Sequence, residues 1–404
     1  MLSYTVRPGD TLLRVARHFG VSAASLLACN PRICENEPIP TGVVLRVPPT
    51  SDVWYAIQEG DTLERLSGLF GIAASAIESA NRSLGASSQW AAGTLLRIPA
   101  GPPNRIVDAR AEYGPQELQR DCGLLARRYE DVETTIIGHS VMGRPITALK
   151  LGSGPYAIHV NAAFHANEWI TSALLMTFAE DAAQANESGE VWRNANVRQL
   201  LSEVTLWLVP MVNPDGVALV QDGLYPGHPL YNELLEMNRG SHRFSRWKAN
   251  IRGVDLNDQF PAFWEEECNR RGTPGPGPRD YPGPRPLSEP EAAAMAAFTE
   301  ERQFELVLAL HTQGQEIYWN YRDYEPSEAE GLACRLGAVS SYRPVKLTGS
   351  DAGYKDWFIQ TFRRPGFTIE AGIGVNPLPL SQFEDMYEDI AKLLLEAMTF
   401  RVSQ

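Results

Sequence analysis

The sequence lacks a long apolar run: no stretch approaches the ~18 consecutive apolar residues of a membrane-spanning helix. It also shows no basic N-terminal segment followed by an apolar one, so we expect no secretory signal and synthesis in the cytoplasm. Positive charge is scarce, with 36 Lys and Arg against 49 Asp and Glu and a formal net charge of -13. This balance argues against nucleic acid or an anionic membrane as the main partner, because both bind basic surfaces.

Cysteine is sparse as well. The five cysteines form no C-x-x-C pair and leave one unpaired; they are Cys29, Cys34, Cys122, Cys268 and Cys334. We therefore expect free thiols rather than a disulfide framework. A local bridge stays open only for Cys29 and Cys34, which are near neighbours in sequence.

What is present suits a globular protein of two or three domains. The chain has 404 residues, of which 44% are hydrophobic and 21% charged, and this apolar content is enough for a sizeable core.

The N-terminal part is a tandem repeat. Residues 4–48 recur as residues 55–99 at a constant offset, so that the opening Y-T-V-R-P-G-D-T-L is matched by Y-A-I-Q-E-G-D-T-L. Each copy predicts a strand, two helices and a closing strand that ends at a proline. The opening motif, the central Asn30 or Asn81 and the closing L-x-V/I-P resemble LysM domains. This resemblance implies binding to glycans that contain N-acetylglucosamine, in peptidoglycan or chitin.

The boundaries follow from these patterns. We expect a first LysM repeat at residues 3–49, a second at 54–100, a short stiff linker at 101–108 and a larger domain at 109–401. Two complete copies favour multivalent attachment to a repetitive polymer over a role only in folding or dimer contacts.

In the larger domain, apolar strands alternate with helices, which predicts an α/β fold with a largely buried sheet. The predicted strands are 156–162, 204–209, 306–310 and 367–369, and the predicted helices are 172–185 and 289–301. The Pro- and Gly-rich stretch 271–286 predicts neither helix nor central strand. It is either a passive connector or a border of the cleft.

Three potential metal ligands follow two of these strands. His165 and Glu168 form an H-x-x-E pair directly after strand 156–162, and His311 follows strand 306–310. Open α/β sheets place their sites at such strand ends. Two histidines and one glutamate, with a fourth position open, are typical of a catalytic zinc site rather than a structural one.

Several motifs across residues 110–400 resemble the zinc carboxypeptidase (carboxypeptidase A-like) family. In chain order they are G-x-S-x-x-G-R-P-I at 138–146, the H-x-x-E pair, N-P-D-G at 213–216, G-V-D-L-N at 253–257, S-E-P-E at 288–291, the strand-end histidine and F-T-I-E at 367–370. The resemblance implies a mixed, mostly parallel sheet flanked by helices. It also implies one zinc ion held by His165, Glu168 and His311, with Glu370 as general acid/base and Asp255 orienting a ligand imidazole.

The sequence departs from this family in how it would recognise a carboxylate. Where the family has an Asn-Arg pair that grips the terminal carboxylate of the substrate, this chain has Asn257 and Asp258, and an anion there would repel that group. Lys248 stands where the family has an arginine that polarises the oxyanion. We assign it the same catalytic role, as a point charge rather than a bidentate fork.

Other expected substrate contacts come from the same alignment of motifs. Thr348 stands at the place of the family's cleft tyrosine, but Tyr354 lies nearby, and Lys355 matches the specificity-pocket position. Arg144, in the first motif, completes the expected substrate-binding set of Arg144, Asn257, Asp258, Tyr354 and Lys355. We hypothesise that Asp258 and Lys355 form a mixed pocket that pairs with the amine and carboxylate groups of diaminopimelate.

The G-V-D-L-N-D-Q-F-P-A run and the paired LysM units resemble the γ-D-glutamyl-diaminopimelate endopeptidases. This implies hydrolysis of the bond between γ-D-glutamate and meso-diaminopimelate (or lysine) in peptidoglycan stem peptides, in a cytoplasmic or spore-associated setting. One alternative is an ordinary metallocarboxypeptidase that removes C-terminal amino acids, against which Asp258 argues. Another is a non-catalytic peptidoglycan- or chitin-binding protein, against which the complete ligand set and Glu370 argue. The diamino acid and the oligomeric state stay open.

Overall fold

The computed structural model describes residues 2–6, 11–12, 15–16, 19, 21, 23–33, 39–49, 53–70, 72, 74–81, 84, 90–99, 105–109 and 111–401. The chain divides into two compact units, Met1–Glu112 and Tyr113–Gln404. Residues 101–104 of the predicted linker lie outside the described residues, and so does Cys34. Cys29, Cys122, Cys268 and Cys334 are free thiols. Nowhere in the described part does a helix combine the length and the apolar content needed to cross a bilayer.

In the first unit, each repeat pairs its opening strand with its closing strand. The elements are β1 (Leu2–Thr5), α1 (Ala23–Cys29), β2 (Val44–Val47), β3 (Val53–Ala56), α2 (Leu63–Phe70), α3 (Ala74–Ala80) and β4 (Leu95–Ile98). Strand β1 pairs antiparallel with β2, and β3 with β4. The second repeat therefore confirms the predicted strand-helix-helix-strand order. In the first repeat, part of the segment between β1 and α1 lies outside the described residues.

The central asparagine of each repeat holds its unit together. Asn30 Nδ2 donates to the carbonyl oxygens of Leu26 (2.7 Å) and Arg46 (2.8 Å), and its Oδ1 accepts from the Arg46 amide (2.9 Å). Asn81 makes the same bond to its own helix and the same pair of bonds with Arg97. Both asparagines are buried. Their repetition in sequence thus reflects a structural need, because each links a helix end to the closing strand.

The second unit is built on one eight-stranded sheet. Its strands are β5 (Val132–His139), β6 (Pro145–Leu151), β7 (Tyr156–Ala162), β8 (Val204–Val209), β9 (Leu306–His311), β10 (Glu316–Tyr318), β11 (Arg343–Val345) and β12 (Gly366–Glu370). They lie in the order β11-β10-β12-β9-β7-β8-β6-β5. The pairs β12/β9, β9/β7, β7/β8 and β10/β11 are parallel, and the others antiparallel. This confirms the mixed, mostly parallel sheet.

Helices flank the sheet. They are α4 (Pro115–Arg128), α5 (Ile170–Ser188), α6 (Val197–Glu203), α7 (Pro214–Asp222), α8 (Tyr231–Met237), α9 (Trp264–Arg271), α10 (Pro290–Arg302), α11 (Ala329–Ser340), α12 (Tyr354–Phe362) and α13 (Phe383–Ala397). Helix α5 is buried along almost its whole length. A helix covered on all sides shows little amphipathic pattern, and its sequence is accordingly apolar and alanine-rich.

The predicted elements were found where the apolar signal is strong. Strands β7 and β8 have the predicted bounds, β9 and β12 extend theirs by one or two residues, and α5 and α10 overlap their predicted ranges. Strands β6, β10 and β11 were not predicted, although β6 is largely buried, and neither was β5. It lies at the edge of the sheet and most of its residues are exposed or half-buried, so its sequence carries no apolar run.

Glu291 is a fully buried carboxyl group near the start of α10. Its Oε1 accepts a hydrogen bond from the Val141 amide (3.1 Å), and its Oε2 lies 3.4 Å from Asn250 Nδ2. Burial raises the pKa of Glu291 to about 7; the bond from Val141 opposes this shift, and the charges of Asp215 and Glu289 add to it. The fold therefore favours the protonated form.

Replacing Glu291 with Gln should make stability less dependent on pH. The carboxyl has a pKa near its ordinary value of 4.5 in the unfolded chain but of about 7 in the folded one. The wild type therefore loses stability as pH rises through this interval, by about 3 kcal/mol at most. The unfolding free energy can be measured by urea titrations followed by tryptophan fluorescence. We expect the unfolding free energy of Glu291→Gln, relative to that of wild type, to be higher at pH 8 than at pH 5. Glu300→Gln, at an exposed position of the same helix, is the control. A pH-independent difference for Glu291→Gln would contradict this account.

Candidate active site

Three parallel strands bring the predicted site residues to one edge of the sheet. Strands β7, β9 and β12 are neighbours, so their carboxyl ends align. His311 is the last residue of β9 and lies opposite Glu370, the last residue of β12. Beyond β7 the chain turns through His165 into a short 3-10 helix, Ala166–Glu168.

The two histidines and Glu168 meet at this edge. His165 Nδ1 lies 2.9 Å from Glu168 Oε1, and His311 Nδ1 lies 3.1 Å from Glu168 Oε2 and 3.1 Å from His165 Nδ1. All three side chains are buried, and their ligand atoms lie within 4.8 Å of one another. The structure therefore brings together the three residues that the sequence proposes as metal ligands.

The chemistry of this donor set fits a zinc ion. Two imidazole nitrogens that face each other at 3.1 Å cannot both be acceptors without repulsion, unless a proton or a cation lies between them. Zinc binds His nitrogen at ~2.0–2.1 Å and carboxylate oxygen at ~2.0–2.2 Å, so tetrahedral ligand atoms are separated by ~3.3 Å. The distances here are only slightly shorter. His311 Nε2 has no partner among the described residues, so its hydrogen bonding does not restrict Nδ1.

Asp255, which the resemblance predicts to orient a ligand imidazole, lies behind His165. Its Oδ1 is 3.2 Å from His165 Nε2, and its Oδ2 is 2.6 Å from Lys248 Nζ. A proton on Nε2 facing this carboxylate leaves the Nδ1 lone pair for a metal. Burial lowers the pKa of His165, but the carboxylates of Glu168 and Asp255 outweigh it and raise the pKa to about 9. The surroundings thus favour positive charge.

Another sequence motif holds the turn that carries His165. Asn213 Nδ2 donates to the carbonyl oxygens of Phe164 (3.1 Å) and Ala249 (3.0 Å). Gly216 lies so close to this turn that a Cβ there would come within 2.8 Å of the Ala166 Cβ. The N-P-D-G motif therefore positions the ligand turn from behind, through backbone contacts.

The loop from residue 272 to 286 contacts the same region. Pro278 accepts a backbone hydrogen bond from Lys248 (2.8 Å), and Tyr281 accepts one from Asp255 (2.8 Å). Asp280 lies 3.7 Å from Lys248 Nζ. The loop contains no helix or strand, as predicted, and it supports two predicted site residues rather than acting as a passive connector.

Asp258 is neutralised within the protein, which the sequence does not reveal. It is buried, and its Oδ2 and Oδ1 lie 2.9 and 3.0 Å from Nε and Nη2 of Arg271. Burial, followed by the charge of Asp255, raises the pKa of Asp258 to about 7, although Lys248 and Arg271 oppose the shift. A cation therefore does stand beside this position, but it comes from the end of α9.

The hypothesis of a mixed Asp258–Lys355 pocket is not supported by the contacts. Lys355 is buried and has its own partners: its Nζ lies 2.6 Å from Asp356 Oδ1 and donates to the carbonyl oxygen of Asn320 (2.7 Å). Both charges are thus satisfied inside the protein, by different groups. This is a correction to the sequence-based interpretation.

Tyr354 does not line a cleft, and the prediction that it does is wrong. Its side chain is fully buried in the main hydrophobic core, where its ring packs against Phe260 and Trp357. Its hydroxyl lies 2.8 Å from Thr299 Oγ1. The apolar face of α12 turns inward at this point, and the sequence position next to Lys355 gives no sign of that.

The other two expected substrate contacts are partly exposed. Arg144 Nη1 lies 2.5 Å from the buried Asp215, and its side chain is 41% exposed. Asn257 is half-buried; its Oδ1 accepts from the Tyr354 amide (3.2 Å) and its own amide donates to Asp255 (3.2 Å). Both remain candidates on geometry.

Glu370 shares its sheet edge with groups that the sequence analysis missed. Glu316 lies directly opposite it in the β10–β12 pair, and the Tyr318 hydroxyl donates to Glu316 Oε2 (2.6 Å). Burial, followed by the charge of Glu168, raises the pKa of Glu370 to about 8. Strand β10 has only three residues, too few for a periodicity signal.

Comparisons with known proteins agree with this geometry. The zinc carboxypeptidase family model matches residues 119–371, and the LysM domain model matches residues 4–48 and 55–99. A protein of Lysinibacillus sphaericus named gamma-D-glutamyl-L-diamino acid endopeptidase 1 is 47% identical over 294 residues, which cover 73% of this chain and 74% of that protein. The uncharacterized protein YqgT of Bacillus subtilis (strain 168) is 39% identical over 299 residues, which cover 73% of this chain and 79% of that protein.

Among solved structures, bovine thrombin-activatable fibrinolysis inhibitor in complex with tick carboxypeptidase inhibitor is similar, with a TM-score of 0.56 and 19% identity. The match covers 72% of this chain and 97% of that one. At this identity the likeness concerns the fold.

Removing the His311 imidazole should release a bound zinc ion, because a three-residue ligand set loses one member. We expect His311→Ala to lose zinc during dialysis against a chelator concentration that wild type withstands, as measured by atomic absorption. Retention of zinc by His311→Ala would contradict the ligand assignment.

Tyr354→Phe is the matched control, since it changes a buried residue away from the metal ligands. We expect it to keep its zinc and to lose about 1 kcal/mol of stability along with the hydrogen bond to Thr299. Loss of zinc from this variant as well would show that zinc retention reports the packing of the domain and does not identify a ligand.

Proposed function

The chain belongs to the zinc carboxypeptidase family, and we propose that this zinc metallopeptidase hydrolyses the bond between γ-D-glutamate and a diamino acid in peptidoglycan stem peptides. The observation that carries the proposal is the convergence of His165, Glu168, His311 and Glu370 at one sheet edge. The named activity of the 47% identical relative supports the choice of bond. Diaminopimelate, one of the two diamino acids that the resemblance leaves open, is the first substrate to test.

The residues of the chain have separate roles in this proposal. His165, Glu168 and His311 would hold one zinc ion, which when bound lowers the pKa of its water toward ~7 and polarises the scissile carbonyl. Glu370, at the end of β12 beside His311, takes the proton of the attacking water and passes it to the leaving amine. Lys248 stays ionised beside Asp255 (2.6 Å) and supplies a fixed positive charge for the oxygen that becomes negative.

The two LysM domains supply attachment to the wall in this proposal. Such domains bind N-acetylglucosamine-containing glycans, and two in tandem raise the local concentration of the catalytic domain along a repetitive polymer. Both matches span nearly the whole of each repeat, so both copies are expected to bind.

The direct test uses a defined stem tripeptide, L-Ala-γ-D-Glu-meso-diaminopimelate, with products identified by mass spectrometry. We expect release of L-Ala-D-Glu by the zinc-loaded enzyme and none after chelation. Glu370→Gln should keep its zinc but lose on the order of 10²–10⁴ in kcat, since only the proton-transfer group is removed.

Two outcomes would overturn the proposal. If zinc-loaded wild type leaves the tripeptide intact with diaminopimelate and also with lysine at the third position, this bond is excluded as the substrate. Cleavage of a hippuryl-amino acid in place of the tripeptide would identify an ordinary carboxypeptidase instead.

Recognition of a substrate carboxylate is best explained by Arg271. Its guanidinium is held by Asp258 and Glu267, and its side chain is 24% exposed. Asp280 lies 3.4 Å from Arg271 and 3.7 Å from Lys248. Lys248 in turn pairs with Asp255, behind His165. We propose that Asp258 acts as the anchor for this arginine, which binds a carboxylate of the diamino acid through its remaining N–H groups.

Arg271→Lys tests this role while keeping the charge. A lysine cannot present the same planar fork, so we expect KM for the tripeptide to rise while kcat and zinc content change little. Arg270→Lys is the matched control, because Arg270 is the neighbouring residue and pairs with Glu267, whereas the bond to Asp258 is made by Arg271. An equal effect of both substitutions on KM would show that helix α9, rather than the Arg271 guanidinium, is what matters.

A further inference from the structure

The loop that follows β12 returns to the metal ligands at Asn376. Asn376 Nδ2 donates to Glu168 Oε1 (3.2 Å) and to the carbonyl oxygen of Thr312 (2.9 Å). In return, Thr312 Oγ1 donates to Asn376 Oδ1 (2.7 Å). Asn376 lies outside the family motifs, six positions beyond Glu370.

The orientation of this amide follows from its partners. If the amide were flipped, Oδ1 would face both the Glu168 carboxylate and the Thr312 carbonyl, which are acceptors, and the contacts would be repulsive. The hydroxyl of Thr312 reinforces the observed orientation by donating to Oδ1. The side chain of Asn376 therefore presents its N–H to the carboxylate in one defined way.

The two carboxylate oxygens of Glu168 have the same kinds of neighbours. Oε1 receives Asn376 Nδ2 and faces the His165 imidazole, whereas Oε2 receives the Thr312 amide (3.2 Å) and faces the His311 imidazole. Each oxygen thus has one neutral N–H donor and one imidazole. Donors of this kind restrict rotation of the carboxylate and reduce the entropy lost when it binds a metal.

We propose that Asn376 is a positioning residue for the metal-binding carboxylate of Glu168. The proposal rests on the zinc site of the proposed function. Asn376 also bonds to Thr312, the residue after His311, and it lies in the loop that follows the strand ending in Glu370. It therefore couples the placement of the metal ligands to that of the general base.

The test is zinc affinity, measured by competition with a chromophoric chelator rather than by activity. Loss of a hydrogen-bond partner of a metal ligand typically costs ~10–100-fold in metal affinity, so we expect a rise of this size in the zinc dissociation constant of Asn376→Ala. Thr312→Val should give a smaller rise in the zinc dissociation constant. It removes the hydroxyl that bonds to the Asn376 side chain but keeps the Thr312 backbone N–H that donates to Glu168. Thr312→Ser should restore the wild-type value.

Two further variants separate this role from general loosening of the loop. Gln382 Nε2 donates to the Ile373 carbonyl (2.8 Å) and its Oε1 accepts from the Ile373 amide (3.1 Å), so it holds the same loop without touching Glu168. We expect Gln382→Ala to leave zinc affinity unchanged. The double variant Asn376→Ala/Thr312→Val should bind zinc like Asn376→Ala alone, since both substitutions remove one shared interaction.

The outcomes are distinguishable. Unchanged affinity in Asn376→Ala, or an equal loss in Gln382→Ala, would overturn the positioning role and leave the proposed function standing. Additive losses in the double variant would also overturn it. A wild-type protein that binds no zinc would overturn the proposed function itself.

Discussion

The parallel pairing of β7, β9 and β12 is the constraint on which the site depends. Adjacent parallel strands end at the same edge of a sheet, so residues far apart in sequence meet there without long side chains. His311 and Glu370 are placed directly by their strand ends, and His165 and Glu168 by the turn after β7. A shift of one residue in this register would turn His311 or Glu370 to the opposite face.

Buried charge around this edge is compensated in pairs. Asp255 lies between an imidazole and Lys248, and Asp258 is paired with Arg271. Ionised carboxylates are costly to bury alone, so each needs a cation or several donors. The replacement of the family's arginine by Asp258 therefore goes together with a cation from another element. The charge of Asp258, considered without its partner Arg271, led to the hypothesis of a mixed Asp258–Lys355 pocket, which the contacts do not support.

The sequence predicted most of the core strands and the candidate metal ligands because both leave local signals. Strands β7 and β8 are continuous apolar runs, and the H-x-x-E pair directly follows β7. The edge strand β5 and the short β10 carry no such signal, since one is largely exposed and the other has three residues. Tyr354 was misassigned because sequence proximity to Lys355 does not show which way a helix face turns.

The sequence by itself determined the two repeats, the α/β class and the identity of the residues at the strand ends, because these depend on local composition and motif order. Only the tertiary structure decided which charges are paired with each other. The partnership of Asp258 with Arg271, and of Asn376 with Glu168, joins segments that are distant in the chain. Such contacts depend on side-chain direction and burial, which become defined only when the helices and loops pack on the sheet.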